Sequence, residues 1–563
     1  MRYRNLSLLL LLALLVGCDE ISGLFLSTEE APIPGAFVQP TPEPTFPAEM
    51  TTAARIEARG ELVVGVRYDL EPFSYVTPDS QLEGLEIDLA HQLAERWLGS
   101  PDAVRFRQVR SDTALAHLVD GTVDVVLAGV VHTQEAEAQV DFGPPYFDDG
   151  MALLTFPDTG VQSLADLEGR RVGVLEWTDS QQHLESSVPV SITTVTFDHF
   201  FDVVAALEGR EIDAYADHRH RLERARRTVD GTQIVGGWTY EPFAAAFRQN
   251  DPFFADLVRL TFEDMVHDGT RDALYARWLP DTSPPALATL PGAATVPPLD
   301  ASPAQLSTLD VFARIRERGT VALGYFQDRW PYSADRADGV PTGFEVRLLQ
   351  RLAELWLGSR EAVTFVPLAD EADGLARLAR GEVDLLAGDW AQSRERELRV
   401  DHSLPILDDG VSLFSLAEAP ATDLAALDGQ PIGVVVGSSA EAAVPELARR
   451  YGLTTQGYPT FQAAVEALHA GEIVAILSER RPALFVHFQQ TGYAVTDQRY
   501  TYRPVGYVLP QGDSAFRDLV NLSLMALEQA GVYQELYGVW FDDPVPELEH
   551  WPGGPAVPLV IVQ

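Results

Sequence analysis

Apolar positions along the chain come in two rhythms. Leu62-Val63-Val64-Gly65-Val66 is an unbroken apolar run closed by charged residues, the pattern of a strand buried on both faces. From Leu85 to Leu98 the apolar residues recur at spacings of three and four, which predicts an amphipathic helix. Val123 to Ala128 and Val172 to Leu175 are further strand candidates, each followed by polar turn residues. Strands alternating with helical stretches predict α/β layering around a largely parallel sheet, where a ligand sits beyond the carboxyl ends of the strands.

The pattern occurs twice. Trp97-Leu98-Gly99-Ser100 recurs as Trp356-Leu357-Gly358-Ser359, an offset of 259 residues, and Arg55, Ile56, Arg59 and Gly60 recur at that offset as Arg314, Ile315, Arg318 and Gly319. Val123-Asp124 recurs as Val383-Asp384, Asp148-Asp149-Gly150 as Asp408-Asp409-Gly410, and Tyr240 with Pro242 as Tyr502 with Pro504, the offset drifting to 262. A period this long marks duplicated domains, because solenoid repeats run to only about 20–50 residues. Pro-rich stretches separate the copies and flank them. The predicted order is a leader at 1–17, a spacer at 18–50, domain 1 at 51–280, a linker at 281–305, domain 2 at 306–543 and a tail at 544–563. The tail carries no further signal.

The N-terminus changes the picture of where this chain works. Arg2 and Arg4 precede a Leu-rich run from Leu6 to Val16, the layout of a secretory signal. It ends in Leu15-Val16-Gly17-Cys18, which resembles the bacterial lipobox. Cys18 is the only cysteine, so it has no partner for a disulfide within the chain, and lipidation accounts for its presence. The expected location is extracytoplasmic, lipid-anchored to the cell membrane on its periplasmic or outer face. Past this segment no apolar run reaches the roughly 18–20 residues of a membrane-spanning helix. The formal net charge of −42 argues against a nucleic-acid partner.

Taken in order, these motifs resemble those of the family 3 bacterial extracellular solute-binding proteins, the polar amino acid receptors of ABC importers. Leu62 to Val66, Pro72-Phe73-Ser74-Tyr75, Gly84 to Leu89, Gly121 to Asp124, Val140-Asp141-Phe142, Pro145-Tyr146 and Leu164 to Val174 carry the resemblance in the first copy. Pro331-Tyr332, Gly343 to Val346, Gly381 to Asp384, Val400-Asp401 and Leu427 to Val434 carry it in the second. It implies tandem periplasmic-binding-protein-like domains of type II, each of two α/β lobes joined by a hinge that closes over the solute. The hinges fall near Asp148-Asp149-Gly150 and Tyr240, and near Asp408-Asp409-Gly410 and Tyr502. An ordinary turn explains each Asp-Asp-Gly equally well.

A receptor for an amino acid must match a carboxylate and an ammonium in a partly dry cleft. Arginine suits the carboxylate through its planar fork. The resemblance places this arginine five residues before an aspartate of the kind at Asp141 and Asp401, which gives Arg396 in the second copy and Ala136 in the first. A solvated arginine in the charged run 394–397 is the competing reading of Arg396. Gly437, Ser438 and Ser439 follow a strand and open a helical pattern, so they can hold an anion or simply cap the helix; the first copy has Trp177 and Thr178 there. The ammonium partner corresponds to Glu479 in the second copy and to Asp217 or His218 in the first. Asp328, Trp330, Asp389 and Trp390, with Asp69 in the first copy, complete the candidate ligand contacts, although aromatic residues more often pack in cores. His218 and His220 beside Asp217 lack a complete metal-ligand set, and no metal or cofactor is expected.

The function expected is delivery of a small polar, amino-acid-like solute to an ABC permease, with the second copy as the main receptor and no enzymatic role. Two other classes stay open. One is a sensory or scaffolding lipoprotein whose first copy, degenerate at Ala136 and Trp177, contacts another protein. The other is an enzyme, since dehydratases share this fold, and fold alone cannot establish chemistry.

Overall fold

The computed structural model describes residues 46–176, 178–287, 289–302, 305–541 and 544–552. The leader, Cys18, most of the spacer, Trp177 and the last residues of the tail lie outside the described residues. No helix among the described residues is long and apolar enough to cross a membrane.

Each copy has two lobes with a five-stranded sheet apiece, and the strand order is the same in both. In the first lobe of the first copy the order is Val104–Gln108, Leu62–Val66, Val125–Val126, Pro242–Phe247 and Asp141–Asp148. In the second lobe it is Thr193–Phe197, Arg171–Leu175, Ala214–His218, Met151–Thr155 and Gln233–Val235. The second copy repeats this with Val321–Tyr325 and Pro431–Val435 in the places of Leu62–Val66 and Arg171–Leu175. The sheets are less parallel than the alternation predicts. Leu62–Val66 pairs in parallel with both neighbours, but the two strands at the hinge pair antiparallel with each other. The reason is connectivity: one carries the chain out of the first lobe and the other brings it back.

The predicted strand at Leu62–Val66 and helix at Leu85–Leu98 have those bounds in the structure. Gly84 starts the helix at φ 136°, and a Cβ there would lie 2.0 Å from the carbonyl oxygen of Phe73; Gly343 repeats the geometry at φ 121° against Tyr332. Only glycine fits so close an approach. The strand candidate from Val123 to Ala128 shrinks to Val125–Val126 because Asp124 turns inward. Asp124 is buried, accepts the Val63 amide at 2.8 Å and pairs with Arg59. Asp384 does the same with Ala322 and Arg318. Trp97 and Trp356 are buried, each donating its indole N–H at 2.9 Å to a hydroxyl on its copy's return helix, Thr261 or Ser523. The repeated residues are therefore mostly the fold's own fastenings.

The two copies pack through matching elements: the turns around Glu137 and Glu397, and the helices Pro252–His267 and Ser514–Gln529. Arg517 reaches Asp141 at 2.9 Å and Glu137 at 3.4 Å, while Arg259 reaches Glu397 at 3.2 Å. Asn250 and Ser514 exchange two hydrogen bonds, at 2.9 and 3.0 Å. The Pro-rich segments are pinned to this body. Met50 forms a β-bridge with Gln305, and the Ala293 and Ala294 amides donate to Glu395 at 2.6 and 3.0 Å. The tail, which showed no signal in sequence, returns to the first copy. There the Trp551 ring lies 4.4 Å from that of His132, and the Pro552 carbonyl accepts the Gln134 amide at 3.0 Å.

Candidate functional sites in the two clefts

The first cleft is a cavity of about 500 Å³ between the lobes of the first copy. Its floor is the hinge. Asp149 accepts the His220 amide and the His220 Nδ1–H, both at 2.7 Å. On the second lobe His218 ends the strand Ala214–His218 and faces the cavity, with its Nε2 2.9 Å from Asp179 and its Nδ1 3.2 Å from Glu241. Burial by itself would lower the His218 pKa, but the bonds to Glu241 and Asp179 and the charges of Asp149 and Glu241 outweigh it and push it up to about 10. Phe243, buried, and Phe200 supply apolar surface, and Arg224 stacks over Phe200 at 4.5 Å. Across the mouth Arg224 faces Glu71 at 3.6 Å.

Asp69 lines this cavity and pairs with Arg67 at 2.9 Å, which holds its carboxyl below the usual range. Asp217 does not face it. That carboxylate is fully buried and takes Ser180 Oγ at 2.9 Å, the His218 amide and the Arg221 guanidinium at 2.8 Å, and the Tyr215 hydroxyl. Alternation along the strand turns Asp217 into the lobe and leaves His218 at the cleft. The Thr178 hydroxyl is spent on the Leu175 carbonyl at 3.0 Å.

In the second copy Gly437, Ser438, Ser439 and Glu479 do come together. Glu479 accepts the Ser439 amide at 2.7 Å and its hydroxyl at 2.5 Å, Ser438 caps the helix Ser439–Tyr451, and the Gly437 amide donates to Glu441 at 2.7 Å. Arg396 turns toward its own lobe. It donates to Glu371 at 2.8 Å and to the Ala391 carbonyl, and its guanidinium lies 5.2 Å from the Trp390 ring. Trp390 is fully buried in the core beside Phe326, with its indole N–H on the Ala387 carbonyl, so the ring packs within its own lobe. Asp328 is exposed on a two-residue strand. Trp330 bridges the lobes, its ring centroid 6.1 Å from Phe485 and 5.4 Å from Phe488.

Asp389 is held between two arginines. It is 6% exposed, and its two carboxylate oxygens meet Arg503 at 2.6 Å and Arg481 at 2.8 Å. Arg503, at the hinge, also holds Asp409 at 2.8 Å. Sequence reading missed both arginines. Arg503 stands inside the repeated Tyr502 and Pro504, and Arg481 stands two residues after Glu479, but nothing local tells that they converge on Asp389 about a hundred residues earlier.

Another cavity, of about 350 Å³, lies between the copies. Near it Glu137, Asp141 and Asp518 place three buried carboxylates close enough to share an ion, and the Arg517 guanidinium answers their charge.

The sequence profile of the bacterial extracellular solute-binding proteins, family 3, matches residues 62–281 and again 321–543. The ABC transporter glutamine-binding protein GlnH of Bacillus subtilis (strain 168) is 27% identical over 231 residues, covering 40% of this chain and 84% of that protein. The L-cystine-binding protein TcyJ of Escherichia coli (strain K12) is 28% identical over 228 residues, with 40% and 84% covered. A solved structure described as the ancestral amino acid-binding protein AncCDT-1, a precursor of cyclohexadienyl dehydratase, is 30% identical and covers 40% of this chain and 99% of its own, with a TM-score of 0.33. With the profile met twice in order, and each copy built as two lobes around a cleft, the chain belongs to the bacterial extracellular solute-binding proteins, family 3, as a tandem pair.

Proposed function

We propose that this chain is the solute-binding component of an ABC-type importer, held outside the cytoplasm by a lipid on Cys18, and that it takes a small polar, amino-acid-like solute between the lobes of its first copy. The observation that carries the choice of copy is the open cavity of about 500 Å³ between the first copy's lobes, lined by His218, Asp179, Glu241 and Phe200. Arg396 made the second copy the expected receptor. Its guanidinium is engaged by Glu371, and Asp389 and Trp330 span the second cleft, so the geometry favours the first. Without an arginine at Ala136, and with both ring nitrogens of His218 facing Asp179 and Glu241, carboxylate recognition there falls to Arg67 and Arg224 at the rim. Lobe closure on the solute supplies the form that a permease recognises.

Thermal unfolding of the purified chain against a panel of amino acids, polyamines and small organic acids tests this. A solute at about a hundredfold its dissociation constant stabilises the copy that binds it by roughly 2.7 kcal/mol. A shift that Asp179→Ala or Phe200→Ala abolishes supports the reading. No shift with any member of the panel favours the scaffolding alternative, for which the missing arginine at Ala136 is the motive.

A further inference from the structure

We propose that Arg481 and Arg503 form a carboxylate site in the second cleft, separate from the Arg396 position, and that Asp389 fills it in the free protein and thereby latches the two lobes shut. This deepens the solute-binding reading for the second copy and does not depend on which solute the first copy takes.

Asp389 sits between two guanidiniums. One of its oxygens accepts a hydrogen bond from Arg503 Nη1 at 2.6 Å, and the other lies 2.8 Å from Arg481 Nε as an ion pair outside hydrogen-bond alignment. Asp389 stands on the first lobe, just after the strand Leu385–Leu386, and Arg481 on the second lobe, in the helix Arg480–Gln489. The pair therefore ties one lobe to the other, with Arg503 at the hinge between them. The Arg481 amide also donates to Asp409, at 3.2 Å, so the helix start is fixed to the hinge from two sides.

The backbone shows how the carboxylate got there. Asp389 has φ 64°, left-handed space that aspartate tolerates better than most residues with a side chain and that glycine enters freely. At the matching place the first copy has Gly129, at φ 63°, with its amide on Glu86 just as the Asp389 amide is on Glu345. The peptide geometry is thus common to both copies, and only the second hangs a carboxylate on it. The matching arginines are absent from the first copy as well: His220 stands for Arg481, with its amide on Asp149 as that of Arg481 is on Asp409, and Glu241 stands for Arg503. Acid and both bases occur together in one copy and are missing together from the other. The rim follows the same division, since the loose pair of Glu71 and Arg224 is replaced by Trp330 against Phe485. The solute class that exchanges with Asp389 is one that presents its own carboxylate to the two arginines.

The test is chemical rescue in the full chain. Asp389→Gly restores the residue that the first copy uses at this φ, so the backbone is relieved and not strained. Hydrogen exchange is followed by mass spectrometry over residues 326–333 and 480–489, in chloride and in acetate of equal ionic strength. In chloride the variant is expected to exchange faster in both segments, by about threefold or more, since a half-buried ion pair between the lobes is gone. Acetate is expected to restore the original rate saturably in the variant and to leave the unsubstituted chain unchanged. A variant that exchanges at the original rate would overturn the latch, and one that opens but ignores acetate and succinate would overturn the carboxylate site. Solute binding by the first copy, measured on the same samples, separates either failure from a failure of the proposed function.

Discussion

Replacing Arg517 by alanine removes one of the cations that hold the two copies together. Its guanidinium lies among Asp141, Glu137 and Asp518, at 2.9, 3.4 and 3.4 Å, and its side chain is 19% exposed. Truncating one partner of a buried pair costs about 3–5 kcal/mol, because the charge left behind has no answer. Here the carboxylates can escape part of that cost by taking up protons, since burial already pushes Glu137 up to about 8 with Arg517 present. A loss near the lower bound, about 3 kcal/mol, is expected. Its pH dependence follows from the same shift. A carboxyl whose folded pKa lies above its unfolded value contributes stability at low pH that is lost as pH rises through the folded value. The penalty of Arg517→Ala is therefore smallest near pH 5 and grows through pH 8. Urea unfolding of the whole chain, followed by tryptophan fluorescence at several pH values, reads it directly. A loss under about 1 kcal/mol, the worth of an exposed pair, with no trend in pH would refute the reasoning.

His218→Gln should flatten the stability of the protein between about pH 6.5 and 10. His218 is pushed up to about 10, so its contribution is complete below the unfolded value near 6.5 and fades as pH rises toward 10; thermal melting across that window checks it, and an unchanged slope would count against the His218 charge cluster. Trp551→Ala removes a ring that is 6% exposed against His132 and should cost about 3 kcal/mol. Limited proteolysis should then cut between residues 541 and 552, and a tail that stays protected would contradict its docking. Trp356→Phe gives up the hydrogen bond to Ser523 and should lower stability by about 1 kcal/mol, readable by urea unfolding.

What was legible in the sequence follows physical lines. Leu62–Val66 is buried on both faces, so an unbroken apolar run marks it, and the spacing of Leu85–Leu98 marks its one buried stripe. The duplication was visible because Trp97, Arg59 and Asp124 fasten the fold in each copy and recur at nearly constant offset. The hinges lie where Asp-Asp-Gly and Tyr240 or Tyr502 placed them, between strands of different lobes. The chemistry of the clefts was less legible. Asp217 and His218 differ by one residue, and on a strand one residue decides between interior and cleft. Trp390 and Arg396 have the residue types of a binding site, but Phe326 and Glu371, both distant in sequence, draw them into their own lobe. The Asp389 latch and the docked tail depend on contacts across about ninety residues or more, which no local pattern encodes.

One chain carries two solute-binding folds whose clefts differ: an open cavity lies between the lobes of the first, and the second closes on its own carboxylate. Isothermal titration of the whole chain, with the solute found by thermal shift, tests this most directly through stoichiometry. The expected result is one tight site per chain, in the first copy, lost in Asp179→Ala and kept in Arg396→Ala, with any binding in the second copy weakened by competition from Asp389. A site lost in Arg396→Ala and untouched by Asp179→Ala would contradict it and return the receptor to the second copy.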